Sequence, residues 1–161
     1  MTLTLASGFD NRCMRFPIKQ PLAGMAMNIP ETHRDILRST GLAFIATMRH
    51  GGSRIAPNVS PTWFEWDDEA NQLLISLTDH RQKYRNVLRD PAVAVCLTDP
   101  GNPYRYIELR GVVDTIHEDV DHHLIDRLAR DYVGMSKFAH DPADGRRLIV
   151  RITPDYFRCF G

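Results

Sequence analysis

The stretch "AVAVCLTDPGNPYRYIELRGVVDTIH", Ala92 to His117, decides the fold. Two runs rich in β-branched and apolar residues, Ala92 to Asp99 and Tyr104 to His117, are separated only by the Pro-Gly-Asn-Pro of residues 100–103. Pro, Gly and Asn turn a chain, and so short a link leaves no room for the crossover that parallel neighbours require. The two strands are therefore expected to be antiparallel. Gly111, inside the longer run, marks a bulge or a close backbone approach.

The same pattern continues on both sides. "LAFIATMRH" (42–50), "GGS" (51–53) and "IAPNVSPTWFEW" (55–66) read as a hairpin, with Pro57 and Pro61 marking an edge or bulge. An acidic turn leads into "LLISLT" (73–78), a third strand, and "RRLIVRITP" (146–154) supplies the last, with Leu148, Val150 and Ile152 alternating. Three helices are expected: one within residues 29–41 that stops at Gly41, one ending at Asp90-Pro91, and one over 119–132 that turns Val120, Leu124, Ile125 and Leu128 toward a sheet. The expectation is a mainly β, α+β domain: six antiparallel strands forming a barrel, with a few short helices. Residues 29–161 make up that domain, and residues 1–28, which follow neither period, read as an extension that is poorly ordered unless it packs on a partner.

Composition limits the function. The chain has 161 residues with 20 basic and 20 acidic side chains, 43% hydrophobic and 25% charged, as in an ordinary single globular domain. Affinity for a phosphate backbone needs an excess of Lys and Arg, so a nucleic-acid partner is disfavoured. No apolar run is long enough for a membrane span, and no signal peptide is seen. The three widely spaced cysteines, Cys13, Cys96 and Cys159, suggest a reducing cytoplasm and no structural zinc. His117, His122 and His123 read as surface residues, because neighbouring helical positions point about 100° apart. Trp63 and Trp66 read as packing residues, Cys96 as an inert thiol, and Ser60, His50 and Asp99 form no nucleophile motif.

One concentration of charge stands against this neutral background. "DHRQKYRNVLRDP" (79–91) carries Arg81, Lys83, Arg85 and Arg89. If a helix starts near Gln82 with Thr78 or Asp79 as its cap, Arg81 and Lys83 flank its unpaired N–H groups, where cations oppose the helix dipole unless an anion joins them. The cluster is either a solvated face or a phosphate site. Tyr84 and Leu88 would pack on the sheet, and Arg85 and Arg89 would be surface charges.

The run from Ser76 to Val113 resembles the signature region of the pyridoxamine phosphate oxidase-like split-barrel proteins. Within them it is similar to the branch using the deazaflavin coenzyme F420. The resemblance rests on Lys83 in "RQKYRN", Asn86, the "RDPAV" of 89–93 and "DPGNPYRYIELRG" ending at Gly111, and it extends over about residues 32–160. It implies a six-stranded split β-barrel forming a homodimer, with the cofactor at the subunit interface. By position it assigns Arg81 and Lys83 to the cofactor phosphate, with Ser76 and Thr78 on the preceding strand. Asn58, Val59, Ser60 and Pro61 would lie along the ring system, and Tyr106 against the cofactor. Asn86 would be a helix-surface or packing residue with one contact on the phosphate side. The C-terminal "PDYFRCFG" lacks the Arg- and His-containing tail with which true pyridoxamine phosphate oxidases grip their substrate, which disfavours that reaction. The implied function is an oxidoreductase transferring hydride between F420 and a small conjugated organic substrate. An FMN-binding reductase or oxidase of the same fold, and a non-catalytic carrier of a flavin, F420 or haem-type ligand, are the alternatives.

Overall fold

A computed structural model describes residues 13–15, 27–51, 54–139 and 145–161. Most of the N-terminal segment, and with it the expectation about its order, lies outside the described residues. The strands are β1 (Cys13–Arg15), β2 (Ala43–Gly51), β3 (Arg54–Thr62), β4 (Glu65–Asp67), β5 (Gln72–Thr78), β6 (Ala92–Thr98), β7 (Tyr106–Glu118) and β8 (Arg147–Phe160). The helices are α1 (Glu31–Leu37), α2 (Gln82–Arg89) and α3 (His123–Val133). None of the described helices is long and apolar enough to cross a membrane.

Seven strands form one path, β3-β2-β6-β7-β8-β5-β4, and β1 pairs with β7 outside it. Every pairing is antiparallel. The fold is the expected mainly β split barrel, with more strands than the expected six. One addition is β1; the other arises because the long second hairpin arm divides, β3 ending at Thr62 and β4 beginning at Glu65. The buried Phe64 sits between them, its N–H bonded to the Tyr132 hydroxyl at 3.2 Å instead of to a strand. That hydroxyl donates in turn to the Gly41 carbonyl at 2.8 Å, tying α3 to the sheet. Burial pushes the Tyr132 phenol up to about 12, so it remains a donor across the physiological range.

Alternation places the core. Ile45 of β2, Val93, Val95 and Leu97 of β6, Ile107 and Leu109 of β7, and Val150 and Ile152 of β8 all face one interior, closed by Ile36 and Leu37 of α1 and Val87 of α2. Each such side chain contributes about 1.5–3 kcal/mol when fully buried. Helix α3 starts later than its pattern suggested. Val120 is 71% exposed, and Asp119 instead accepts from the N–H groups of Leu124 and Ile125, a side-chain cap that the Asp119 carboxylate provides at 3.1 and 3.2 Å.

The last strand runs to Phe160, well past the expected Pro154. It can do so because its register with β7 shifts at Arg110/Gly111 and again at Val113/Thr115, so that the pair bends without separating. Gly111 faces Pro154 there, and a Cβ on Gly111 would lie 2.2 Å from the Thr153 carbonyl oxygen. Gly111→Ala is therefore expected to lower unfolding free energy by about 1–3 kcal/mol, read from a reduced urea midpoint at constant slope. An unchanged midpoint would show that β7 and β8 are free to separate at the bulge.

Candidate functional site

Strand β3, one end of the sheet path, faces β5 and β8 near the other end across a cleft of about 460 Å³. Strand β3 lines one side through Asn58, Ser60, Pro61 and Thr62. The other side carries Ser76, Leu77 and Thr78 of β5 and Arg147 of β8, and the start of α2 adds Arg81, Gln82 and Lys83. Arg147 belongs here because it pairs with Thr78 across β5 and β8.

Two features make this a candidate ligand site. The hydroxyls of Ser60, Ser76 and Thr78 are buried and have no hydrogen-bond partner among the described residues. Leaving a buried hydroxyl unpaired costs about 1–3 kcal/mol, so three in one cleft point to a polar ligand that supplies their partners. The lining also holds three cations, Arg81, Lys83 and Arg147, and no carboxylate. Burial, reinforced by the neighbouring Arg81 charge, pushes the Lys83 ammonium down to about 8. An anion between them would offset both effects.

Helix α2 presents this charge through an open end. Neither Thr78 nor Asp79 caps it: Arg81 occupies the cap position in extended conformation, no side chain bonds the first turn, and the Asp79 carboxylate accepts from Arg146 Nε at 2.9 Å and Arg146 N at 3.2 Å. The first-turn N–H groups thus join the cations on the cleft side.

Of the residues assigned by resemblance, Asn58, Ser60, Pro61, Ser76, Thr78, Arg81 and Lys83 meet in the cleft. Three do not line it. Val59 alternates with Asn58 and Ser60 and is 59% exposed; Pro61 shares its parity yet lines the cleft. Tyr106 stacks on Phe160, ring centroids 5.5 Å apart, on β7 and β8. Asn86 is 2% exposed and bonds Thr47 and Gln82 inside the protein, not on the helix surface. On the same helix Val87 is buried, Tyr84 packs partly on the core, and Leu88 is exposed, so the apolar contact is centred one position earlier than expected. Arg85 and Arg89 are exposed and donate to the carbonyls of His50 and His80, Arg89 to the former at 3.0 Å and Arg85 to the latter at 3.1 Å. Sequence reasoning missed Gln82, Thr62 and Arg147; for Arg147 only the strand pairing reveals its place, since it stands almost seventy residues from Thr78 along the chain.

Elsewhere, Trp63 stacks on Tyr132 at 5.3 Å and Trp66 packs against the core. Cys96 is half-buried, and burial with the nearby Glu108 carboxylate raises its thiol pKa, which holds it as the less reactive neutral form. His50 lies 3.7 Å from Asp90, and Asp99 is paired to Arg105 at 2.6 Å, so neither joins Ser60.

The model of the pyridoxamine 5'-phosphate oxidase family matches residues 29–159. The chain belongs to this family. As a family member it is also similar to solved structures. One, named F420 reductase, is 37% identical over 81% of this chain and 98% of its own, with a TM-score of 0.69. A putative pyridoxamine 5'-phosphate oxidase from Listeria innocua (17% identity, 80% and 95% covered, TM-score 0.58) and a conserved hypothetical protein from Mycobacterium tuberculosis (22% identity, 82% and 84% covered, TM-score 0.60) share the fold. No curated protein matches the chain.

The cleft's charge state generates a sign. Because folding lowers the Lys83 pKa to about 8, the buried charge works against the fold below that pH, and the penalty fades as pH rises toward the unfolded value. Lys83→Met should therefore stabilise the unliganded protein near neutral pH, seen as a raised melting temperature. Sulfate, whose own charge is constant here, should bind the wild type with an affinity that declines as pH rises through about 8, and Lys83→Met should abolish that pH step. Sulfate binding with no such step would remove Lys83 from the anion site.

Proposed function

We propose that this chain is a cytoplasmic oxidoreductase that binds coenzyme F420 and passes hydride between the deazaflavin and a small conjugated organic substrate. The observation that carries the reading is the cleft at the barrel seam, cationic at the start of α2 and lined by unpaired buried hydroxyls. Its relative at 37% identity, named F420 reductase, favours the deazaflavin over FMN.

The residues present fit such a cofactor. Arg81, Lys83 and the open first turn of α2 would hold its phosphate, with Ser76 and Thr78 on the adjoining strand donating to phosphate or ribityl oxygens. Asn58, Ser60 and Pro61 on β3 would set the plane of the ring system. When bound, the deazaflavin supplies the hydride chemistry, and the protein is left with binding, orientation and exclusion of water. No acid–base triad is needed.

The other side of β3 supports a homodimer. Val59, Ala46, Ala94, Arg110 and Tyr156 lie in one row across β3, β2, β6, β7 and β8, with Phe44 and Pro61 in the next. Ile55, Val59 and Phe160 on this side are each more than half exposed. An exposed sheet face of this composition suits a second copy, and it would bring the partner within one strand of the cleft.

Titration of the purified protein with F420 and with FMN, followed by fluorescence, is expected to give the lower Kd for F420. Lys83→Ala should weaken that binding by roughly tenfold or more while the protein remains folded, since a charge-assisted hydrogen bond contributes about 1.5–3 kcal/mol. Reduced F420 should then be oxidised in the presence of some member of a panel of enones, quinones and tetrapyrroles. Tighter binding of FMN would overturn the cofactor assignment, and F420 binding without oxidation by any of the panel would favour a carrier.

A further inference from the structure

The two walls of the cleft come from opposite ends of the sheet path, and among the described residues no strand pairing joins β3 to β5. A line of side chains ties α2 to the β3 wall through β2 instead. Gln82 Nε2 donates to Asn86 Oδ1 at 2.8 Å, Asn86 Nδ2 donates to Thr47 Oγ1 at 2.8 Å, and Thr47 Oγ1 donates to the Asn58 carbonyl at 3.5 Å. The two end residues, Gln82 and Asn58, line the cleft, while Thr47 and Asn86 in the middle are 1% and 2% exposed.

We propose that Thr47 and Asn86 are positioning residues that hold the first turn of α2 at a fixed distance from β3, so that Arg81 and Lys83 converge on a single anion. The proposal deepens the reading of the cleft as an anion site and rests on it.

Three observations support it. First, packing alone does not explain the residue types. An aliphatic side chain at either position would gain burial, whereas an amide or hydroxyl must recover its desolvation through hydrogen bonds. Here both residues do so, in a chain whose donors all run one way, from Gln82 toward Asn58, an arrangement in which each bond polarises the next. Second, the other anchors of α2 lie mostly beyond its first turn. It has no side-chain cap, its buried Val87 and the Arg89 bond to the His50 carbonyl sit in its second half, and Tyr84 is only partly buried. The Gln82–Asn86 pair, one helical turn apart, links the first turn to Asn86 and, through it, to Thr47 of β2. Third, Lys83 sits beside Arg81 in that turn, and without a rigid helix start the like charges would separate into solvent. Holding the turn keeps Lys83 inside the cleft.

The test compares wild type, Thr47→Val and Thr47→Ser, with sulfate as the probe across the alkaline range. Valine keeps the shape and removes the hydroxyl; serine restores it. Thr47→Val is expected to bind sulfate about tenfold more weakly and to move the alkaline loss of binding to higher pH, because a released Lys83 regains its solvent. Thr47→Ser should keep both properties. A Thr47→Val protein with a lower melting temperature but unchanged affinity and unchanged pH step would overturn the proposal and leave the anion site standing. If Thr47→Val does not fold, Gln82→Met cuts the line at its accessible end, and the position of the pH step remains diagnostic, since loss of a neutral contact to the anion would not shift it. Wild type that fails to bind sulfate would defeat the anion-site reading and this proposal together.

Discussion

A barrel whose first and last strands do not pair must do something with two open edges. In this chain β3 and the β5 side come round to face each other, and the start of α2 lines the gap. Unpaired edges expose backbone N–H and C=O groups and invite aggregation unless they are blunted or covered. Pro57 and Pro61 remove two donors from β3, the edge that lines the cleft. Helix α2 then enters between β5 and β6, where its short length brings the N-terminus, and not its flank, to the gap. The seam is thus a place where polar side chains can be buried without competing with a ladder.

That geometry explains why a chain with no net charge concentrates cations at one point. Charge scattered over a surface is solvated and nearly free of cost; placed in a seam it is not, and burial accordingly lowers the Lys83 pKa. The three unpaired hydroxyls have the same origin. Both penalties oppose the unliganded fold and would be offset by an anionic, hydrogen-bonding ligand of the kind proposed for this cleft. The rest of the domain offsets it through the continuous core along β6, β7 and β8 and through α1, where Arg105 joins Asp35 and Asp99 and also donates to the Thr32 carbonyl.

What was legible in the sequence follows the range of each signal. The antiparallel order came from turn chemistry and linker length, both local, and the cationic pair Arg81 and Lys83 came from a single short window. What was not legible depended on tertiary register. The extension of β8 to Phe160 requires Gly111 and Pro154 to meet, and neither residue announces the other. Arg147 enters the cleft only because it pairs with Thr78. Val59 could have been separated from Asn58 and Ser60 by alternation alone, since adjacent residues of a strand face opposite sides. Tyr106 and Asn86 are different: their surroundings, Phe160 for one and Thr47 for the other, lie on strands far away in the chain.

Asn86 shows how a motif residue can matter to a ligand without touching it. A contact-based reading would place its amide at the phosphate, yet burial removes that option: at 2% exposure its two bonded atoms are committed to Gln82 and Thr47. The influence it retains is geometric. Two cations contribute to one anion only if both reach it at hydrogen-bond distance, and a small tilt of α2 would keep one contact and lose the other. Since the barrel offers no ladder across the seam, the backbone alone does not prevent that tilt. The side-chain line from Gln82 to Asn58 does, so the accuracy of the site depends on buried polar residues that a list of ligand contacts would omit.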